Sequence, residues 1–117
     1  YGYSGSKQCS SLIFHGLKRL EYRGYDSWGI AVLNKKRITQ YKNIGEIKEH
    51  KDLDKLNGGT VGIGHTRWAT HGGVTKANAH PHLSTTGDFT LVQNGIVENS
   101  NRYRSYCQND RCRKKKG

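Results

Sequence analysis

Apolar positions first recur at a helical spacing and then at a strand spacing. Residues 1–5, Tyr-Gly-Tyr-Ser-Gly, read as a strand end running into a turn. From Gln8 to Leu20 the period lengthens. Cys9, Ile13, Leu17 and Leu20 share one face, Leu12 lies beside them, and Lys18 and Arg19 lie off it, which predicts an amphipathic helix. Leu20–Ser27 mixes polar and aromatic residues without period and reads as a shaped loop. Trp28–Leu33 is a short apolar run, hence a buried strand, and Arg37–Lys42 alternates. With Asn34-Lys35-Lys36 between them, the two predict a hairpin. Gly45–Leu56 is charged, with Ile47, Leu53 and Leu56 as its apolar points. It reads as a surface helix, or one broken near Lys51. Thr60–His65 predicts a strand with Val61 and Ile63 on one face and glycines on the other. Thr66–His82 has almost no period, and Asp88–Gln93 predicts the last strand. Strands and helices mixed in this order suit a layered α/β or α+β domain.

Length and composition narrow this only a little. At 117 residues the chain suits one modest domain. Its hydrophobic share of 32% makes a small core possible without guaranteeing a self-sufficient one. Fifteen glycines against one proline exclude a proline-rich linker. No apolar run approaches the roughly 20 residues of a membrane span. The net charge of +11 suggests a nucleic-acid binder, but the distribution weakens that reading. Residues 1–100 carry 13 Lys and Arg against 8 Asp and Glu, whereas residues 101–117 carry 7 against 1. The excess is concentrated in a tail that reads as solvated and disordered. A small basic nucleic-acid-binding protein, using the interleaved Tyr103, Arg104 and Tyr106, stays as an alternative. Three cysteines argue against a closed disulfide framework and make a reducing cytoplasm the default compartment.

The densest chemistry lies between Gly62 and His82. Glycine at alternate strand positions, Gly62 and Gly64, lets another backbone or a ligand come close. The strand empties into Arg67, Trp68, Thr70 and His71. Arg67 offers a planar fork for a carboxylate or phosphate. Trp68 can exclude solvent, and Thr70 and His71 add hydrogen-bonding groups. The plain alternative is a polar loop bonded to its own backbone. His65, His71, His80 and His82 fit no standard zinc spacing, so no metal is expected. Asn94-Gly95 after a strand is either a hairpin turn or a pair of oxyanion donors. Arg23 and Asp26 flank Gly24-Tyr25, where a local ion pair would brace the loop.

Four motifs in order carry a family resemblance. They are Gly16–Ser27 (Gly-Leu-Lys-Arg-Leu-Glu-Tyr-Arg-Gly-Tyr-Asp-Ser), Gly62–Gly72 (Gly-Ile-Gly-His-Thr-Arg-Trp-Ala-Thr-His-Gly), Asn78–His82 (Asn-Ala-His-Pro-His) and Asn94–Asn99 (Asn-Gly-Ile-Val-Glu-Asn). Over residues 1–100 the chain resembles the N-terminal glutaminase domain of the glutamine–fructose-6-phosphate aminotransferase family. The resemblance implies an α+β N-terminal-nucleophile hydrolase fold, a four-layer αββα sandwich, incomplete here. It implies glutamine as substrate, cleaved through a cysteinyl thioester with the cysteine's α-amine as base. Ammonia would pass to an isomerase domain outside this chain, which acts on fructose 6-phosphate. No cofactor or metal is implied, and the full-length enzyme is expected to be a cytoplasmic homo-oligomer.

By position, Arg67 would hold the glutamine carboxylate, and Trp68, Thr70 and His71 would line the pocket. Asn94 and Gly95 would form the oxyanion hole, and Arg23 and Asp26 would order the region around the nucleophile. His80 and His82 would pack near the pocket in a mainly structural role. The family begins Cys-Gly-Ile, and Tyr1-Gly2-Tyr3 matches the segment just after it. The chain as given is therefore expected to lack the nucleophile and to be inactive alone. Cys9, on the apolar helix face, reads as a buried small hydrophobe. A relative that binds glutamine without cleaving it is a further alternative. Trp28 stands where the family carries a small residue, and overpacking is expected there.

Overall fold

A computed structural model describes residues 1–48 and 51–108. Four strands make the main sheet: β1 (Gly2–Ser4), β2 (Ser27–Asn34), β3 (Arg37–Ile44) and β4 (Val61–Arg67). Their spatial order is β1-β4-β2-β3, and every neighbouring pair is antiparallel. The expected hairpin joins β2 and β3, with Asn34 opposite Arg37. Lys35 takes a left-handed conformation (φ 56°), as the first position of a primed two-residue turn requires.

Helix α1 (Cys9–Leu20) lies across one face of this sheet. Trp28, Ile30 and Val32 alternate toward it along β2. In register they align with Thr66, Gly64 and Gly62 on β4. The bare face of those glycines admits the helix rather than a ligand. A β-carbon on Gly64 would lie 2.6 Å from Ile13 Cγ2 and 2.9 Å from Leu17 Cδ1. Cys9, Ile13, Phe14, Leu17, Trp28, Ile30 and Val32 form the core with Ile47 and Leu56. Burial raises the Cys9 thiol pKa, which keeps the sulfur an inert packing group.

Trp28, where overpacking was expected, is accommodated in the core by aromatic neighbours. The indole is buried between Phe14 and Tyr41, with ring centroids 6.0 and 5.5 Å away in edge-on and tilted contacts. Aromatic edges close around a large ring, and such pairs are favourable in their own right.

Three segments depart from the sequence expectation. Gly45–Leu56 is not one surface helix. Gly45 takes φ 77° after β3, Ile47 is buried, and its amide donates to Glu21 Oε1 at 2.6 Å. Among its described residues only Lys51–Leu56 coils, as a 3-10 turn that buries Leu56. The expected strand over 88–93 shrinks to β6 (Thr90–Leu91), paired with β5 (His82–Leu83). Asp88 and Phe89 are drawn instead into a turn, where the Phe89 amide donates to Ser84 Oγ at 3.1 Å and the Ser84 amide to Phe89 O at 2.9 Å. Lastly, Ser100–Gln108 forms helix α2 where disordered chain was expected. The segment holds no glycine or proline to break a helix, and Ser100 and Arg104, one turn apart, line the same cleft. Cys112 and the basic run 111–116 lie outside the described residues.

The face of the main sheet opposite α1 carries Gly29, Ala31, Ile63, His65 and Arg67. The segment leading into β5 crosses this face. The His80 carbonyl sits so close above Gly29 that any side chain there would collide with it. The β5–β6 ribbon begins the second sheet layer, and the sandwich is partial. Leu91 and Phe89 remain more than half exposed.

Candidate active site

The site grows from the end of β4. Strand alternation puts His65 and Arg67 on the face turned away from α1. Beyond Arg67 the chain runs irregularly to Pro81, so its backbone groups need other partners. Several come from the site residues themselves. The Arg67 guanidinium donates to Gly73 O (3.1 Å) and to His71 O. Asn78 Nδ2 donates to the same Gly73 oxygen at 3.0 Å. The Ala69 amide donates to Asp26 Oδ2 at 2.7 Å, and the Asp26 amide to Arg67 O at 3.2 Å. The loop after β4 is thus curled around the Arg67 side chain. That curl uses two guanidinium N–H groups of five.

These elements enclose an open cleft of about 1040 Å³. Arg23, Arg67, Trp68, Thr70, His71, Asn94 and Gly95 all line it, though they come from three separate stretches of sequence. Trp68 is 55% exposed and leans on Tyr25, ring centroids 5.4 Å apart. Thr70 Oγ1 lies 3.4 Å from His71 Nδ1. Asp26 is not in the lining, and it acts one step back by holding the Ala69 amide. The expected Arg23–Asp26 ion pair does not form among the described residues, because the carboxylate is engaged by the loop.

Among the described residues no strand follows Asn94-Gly95, so the hairpin reading fails. The chain turns there with Gly95 at φ 113°, a conformation that favours glycine, and continues into α2. Gln93 Nε2 donates to Asn94 O at 3.2 Å. His65 Nε2 lies 2.5 Å from Asn94 Oδ1. The cleft is also lined by Tyr1, His65, Gln93, Ile96, Ser100 and Arg104, none of them expected as pocket residues from the sequence. His65 could have been found, since it shares a strand face with Arg67 two residues on.

Three imidazoles cluster at this wall in tilted and edge-on contacts. His65 and His80 have centroids 4.6 Å apart, and His80 and His82 4.3 Å. Burial lowers the pKa of all three, helped by neighbouring positive charge. His80 is pushed down to about 4, by burial first and then by His65, His82, Arg67 and Lys42. A group depressed in the folded state favours folding above its unfolded pKa, near 6.5, and loses that contribution as pH falls toward 4. The ring is only partly buried, so screening reduces the effect to about 1–2 kcal/mol. The expected outcome is a melting temperature that drops between pH 6.5 and 4, with a shallower drop in His80→Gln. Equal drops in the two proteins would remove His80 as the cause.

The chain matches no family model. Its curated relatives are another matter. It is 52% identical over 99 residues to glutamine–fructose-6-phosphate aminotransferase (isomerizing) of Geobacillus kaustophilus, 84% of this chain and 16% of that protein. The enzyme of the same name from Listeria monocytogenes is 50% identical over 99 residues, with the same coverage. This chain is a homologue of the glutaminase segment of those enzymes. It spans less than a fifth of their length. The Cyanidium caldarium aminotransferase is 44% identical over 110 residues, covering 90% of this chain and 18% of that one. That coverage exceeds what residues 1–100 could supply, so the likeness runs on into α2. Among solved structures, the Bacillus subtilis glutamine phosphoribosylpyrophosphate amidotransferase, complexed with ADP and GMP, aligns with TM-score 0.77 at 27% identity. It covers 92% of this chain and 24% of that one. A structure of the allosteric regulatory enzyme of purine biosynthesis aligns equally well, at 29% identity. The fold is therefore that of the N-terminal-nucleophile amidotransferases, present in part.

Proposed function

We propose that the cleft is the glutamine-binding half of a glutaminase site. Arg67 grips the substrate α-carboxylate with its remaining N–H groups. Trp68, Thr70 and His71 wall the pocket. The Asn94 side-chain amide and the Gly95 N–H stabilise the oxyanion that forms on the attacked carboxamide. Arg23 and, through the Ala69 amide, Asp26 order the surroundings of the nucleophile.

The observation that carries this reading is convergence: Arg67 and the Asn94-Gly95 pair, far apart in sequence, line one cleft. The register of β1 supports it. Tyr1 and Gly64 exchange hydrogen bonds of 3.0 and 2.8 Å across the β1–β4 ladder. Residues preceding Tyr1, continued along that ladder, run past His65 and Thr66 toward Arg67. A cysteine at the head of such a segment reaches the cleft. Its thiol proton passes to its own α-amine, the sulfur attacks the carboxamide carbon, and the returned proton leaves with ammonia. Water then cleaves the glutamyl thioester to glutamate. In the whole enzyme the ammonia goes to an isomerase domain that acts on fructose 6-phosphate. A cytoplasmic homo-oligomer belongs to the same proposal.

The test is an enzyme reassembled from this chain, preceded by Met-Cys-Gly-Ile and followed by the remainder of the Geobacillus kaustophilus relative. Glutamine should yield equal amounts of glutamate and ammonia, and changing the leading cysteine to alanine should stop the release. A folded enzyme that releases no ammonia refutes the reading.

A further inference from the structure

Asn94 poses a geometric problem for the glutaminase reading. It lies past β6 in an irregular, exposed segment, next to a glycine at φ 113°. Nothing in the local backbone fixes its side chain. An oxyanion donor must nevertheless stay aimed, because its contribution depends on not having to reorganise during the reaction.

The fixing contact comes from β4. His65 Nε2 lies 2.5 Å from Asn94 Oδ1. An amide oxygen can only accept, so the imidazole nitrogen must be the donor. His65 itself is well held. Its backbone is in the ladder with Gly29, its ring lies against His80, and His80 lies against His82. We propose that His65 is a positioning residue: by donating Nε2–H to Asn94 Oδ1 it turns the Asn94 amide nitrogen toward the cleft, where the oxyanion forms. The inference rests on the glutaminase reading and deepens it. His65 lines the same cleft, and this role is exerted through Asn94. A metal role for the histidines has no support among the described residues, where no group of His, Cys, Asp or Glu is placed to hold an ion. The charges of Lys42 and Arg67 beside them would oppose a cation as well.

The test has two arms. In the reassembled enzyme, His65→Phe keeps a flat ring and removes the donor. It should lower kcat for glutamine hydrolysis about 10- to 100-fold and leave KM within about twofold. His65→Gln, whose amide nitrogen can reach the Nε2 position, should recover most of the loss. Placed on Asn94→Ala, His65→Phe should add less than about twofold, since the two act as one unit. A purely structural histidine would give additive losses and no rescue by glutamine, and that pattern overturns the proposal, as does an unchanged kcat. The second arm needs no variant. Nitrogen-15 spectra of the 117-residue chain at neutral pH should report His65 as the Nε2–H tautomer. An Nδ1–H tautomer overturns the proposal whatever the kinetics show. Absence of ammonia release from the unmutated enzyme counts against the glutaminase reading instead, and the tautomer still decides the contact.

Discussion

Asn94→Ala in the reassembled enzyme is expected to cut kcat for glutamine hydrolysis by about 10²–10³ while KM changes little. The asymmetry follows from what the side chain meets. In the ground state the carboxamide oxygen is a weak acceptor, and only the tetrahedral intermediate carries a full negative charge there. A donor aimed at that charge is worth about 3–4 kcal/mol in a preorganised site. The Gly95 N–H survives the substitution, so activity should fall without vanishing. A rise in KM at constant kcat would place Asn94 in ground-state binding and remove it from the oxyanion role. Steady-state ammonia release across a range of glutamine concentrations distinguishes the two.

Arg67→Ala should show the reverse signature, with KM for glutamine raised by about 10² or more and a smaller effect on kcat. Two charge-assisted hydrogen bonds to a carboxylate, at roughly 1.5–3 kcal/mol each, correspond to at least two decades in affinity. The structure adds a second cost. The same guanidinium holds the carbonyls of His71 and Gly73, so its loss also loosens the loop that presents Thr70 and His71. Arg67→Lys keeps the charge but not the fork and should recover little. A KM within twofold of the parent for Arg67→Ala would refute the carboxylate role. Weaker protection of the 68–73 amides from hydrogen exchange would report the loop effect separately.

The sequence carried the helix, the β2–β3 hairpin and β4 well, because each has a clean period. Cys9, Ile13 and Leu17 repeat as a helix face should, and Gly62 and Gly64 alternate as a strand should. What failed was ruled by tertiary contact. Ile47 stays outside any helix, drawn into the core with its amide bonded to Glu21, which no local pattern announces. The expected strand over 88–93 was cut short by Ser84, whose hydroxyl takes the Phe89 amide. The candidate site was legible as residues but not as geometry. Arg67, Asn94 and Gly95 stood out by type and motif, whereas the curl of the loop about Arg67 depends on carbonyls with no sequence signature. Asp26 was expected to pair with Arg23 and instead holds a backbone amide 43 residues away.

β4 also constrains how this protein can vary. Its even positions, Gly62 and Gly64, admit α1, and its odd positions, Ile63, His65 and Arg67, point to the other face, where His65 and Arg67 line the cleft. Deleting or inserting one residue between Val61 and Arg67 would exchange the two sets. The guanidinium and imidazole would be driven into the helix, and the cleft would be left with bare glycine. Descendants of this sequence can therefore trade one side chain for another along the strand, but indels should be purged from it, and gaps in any alignment should collect in the loops on either side.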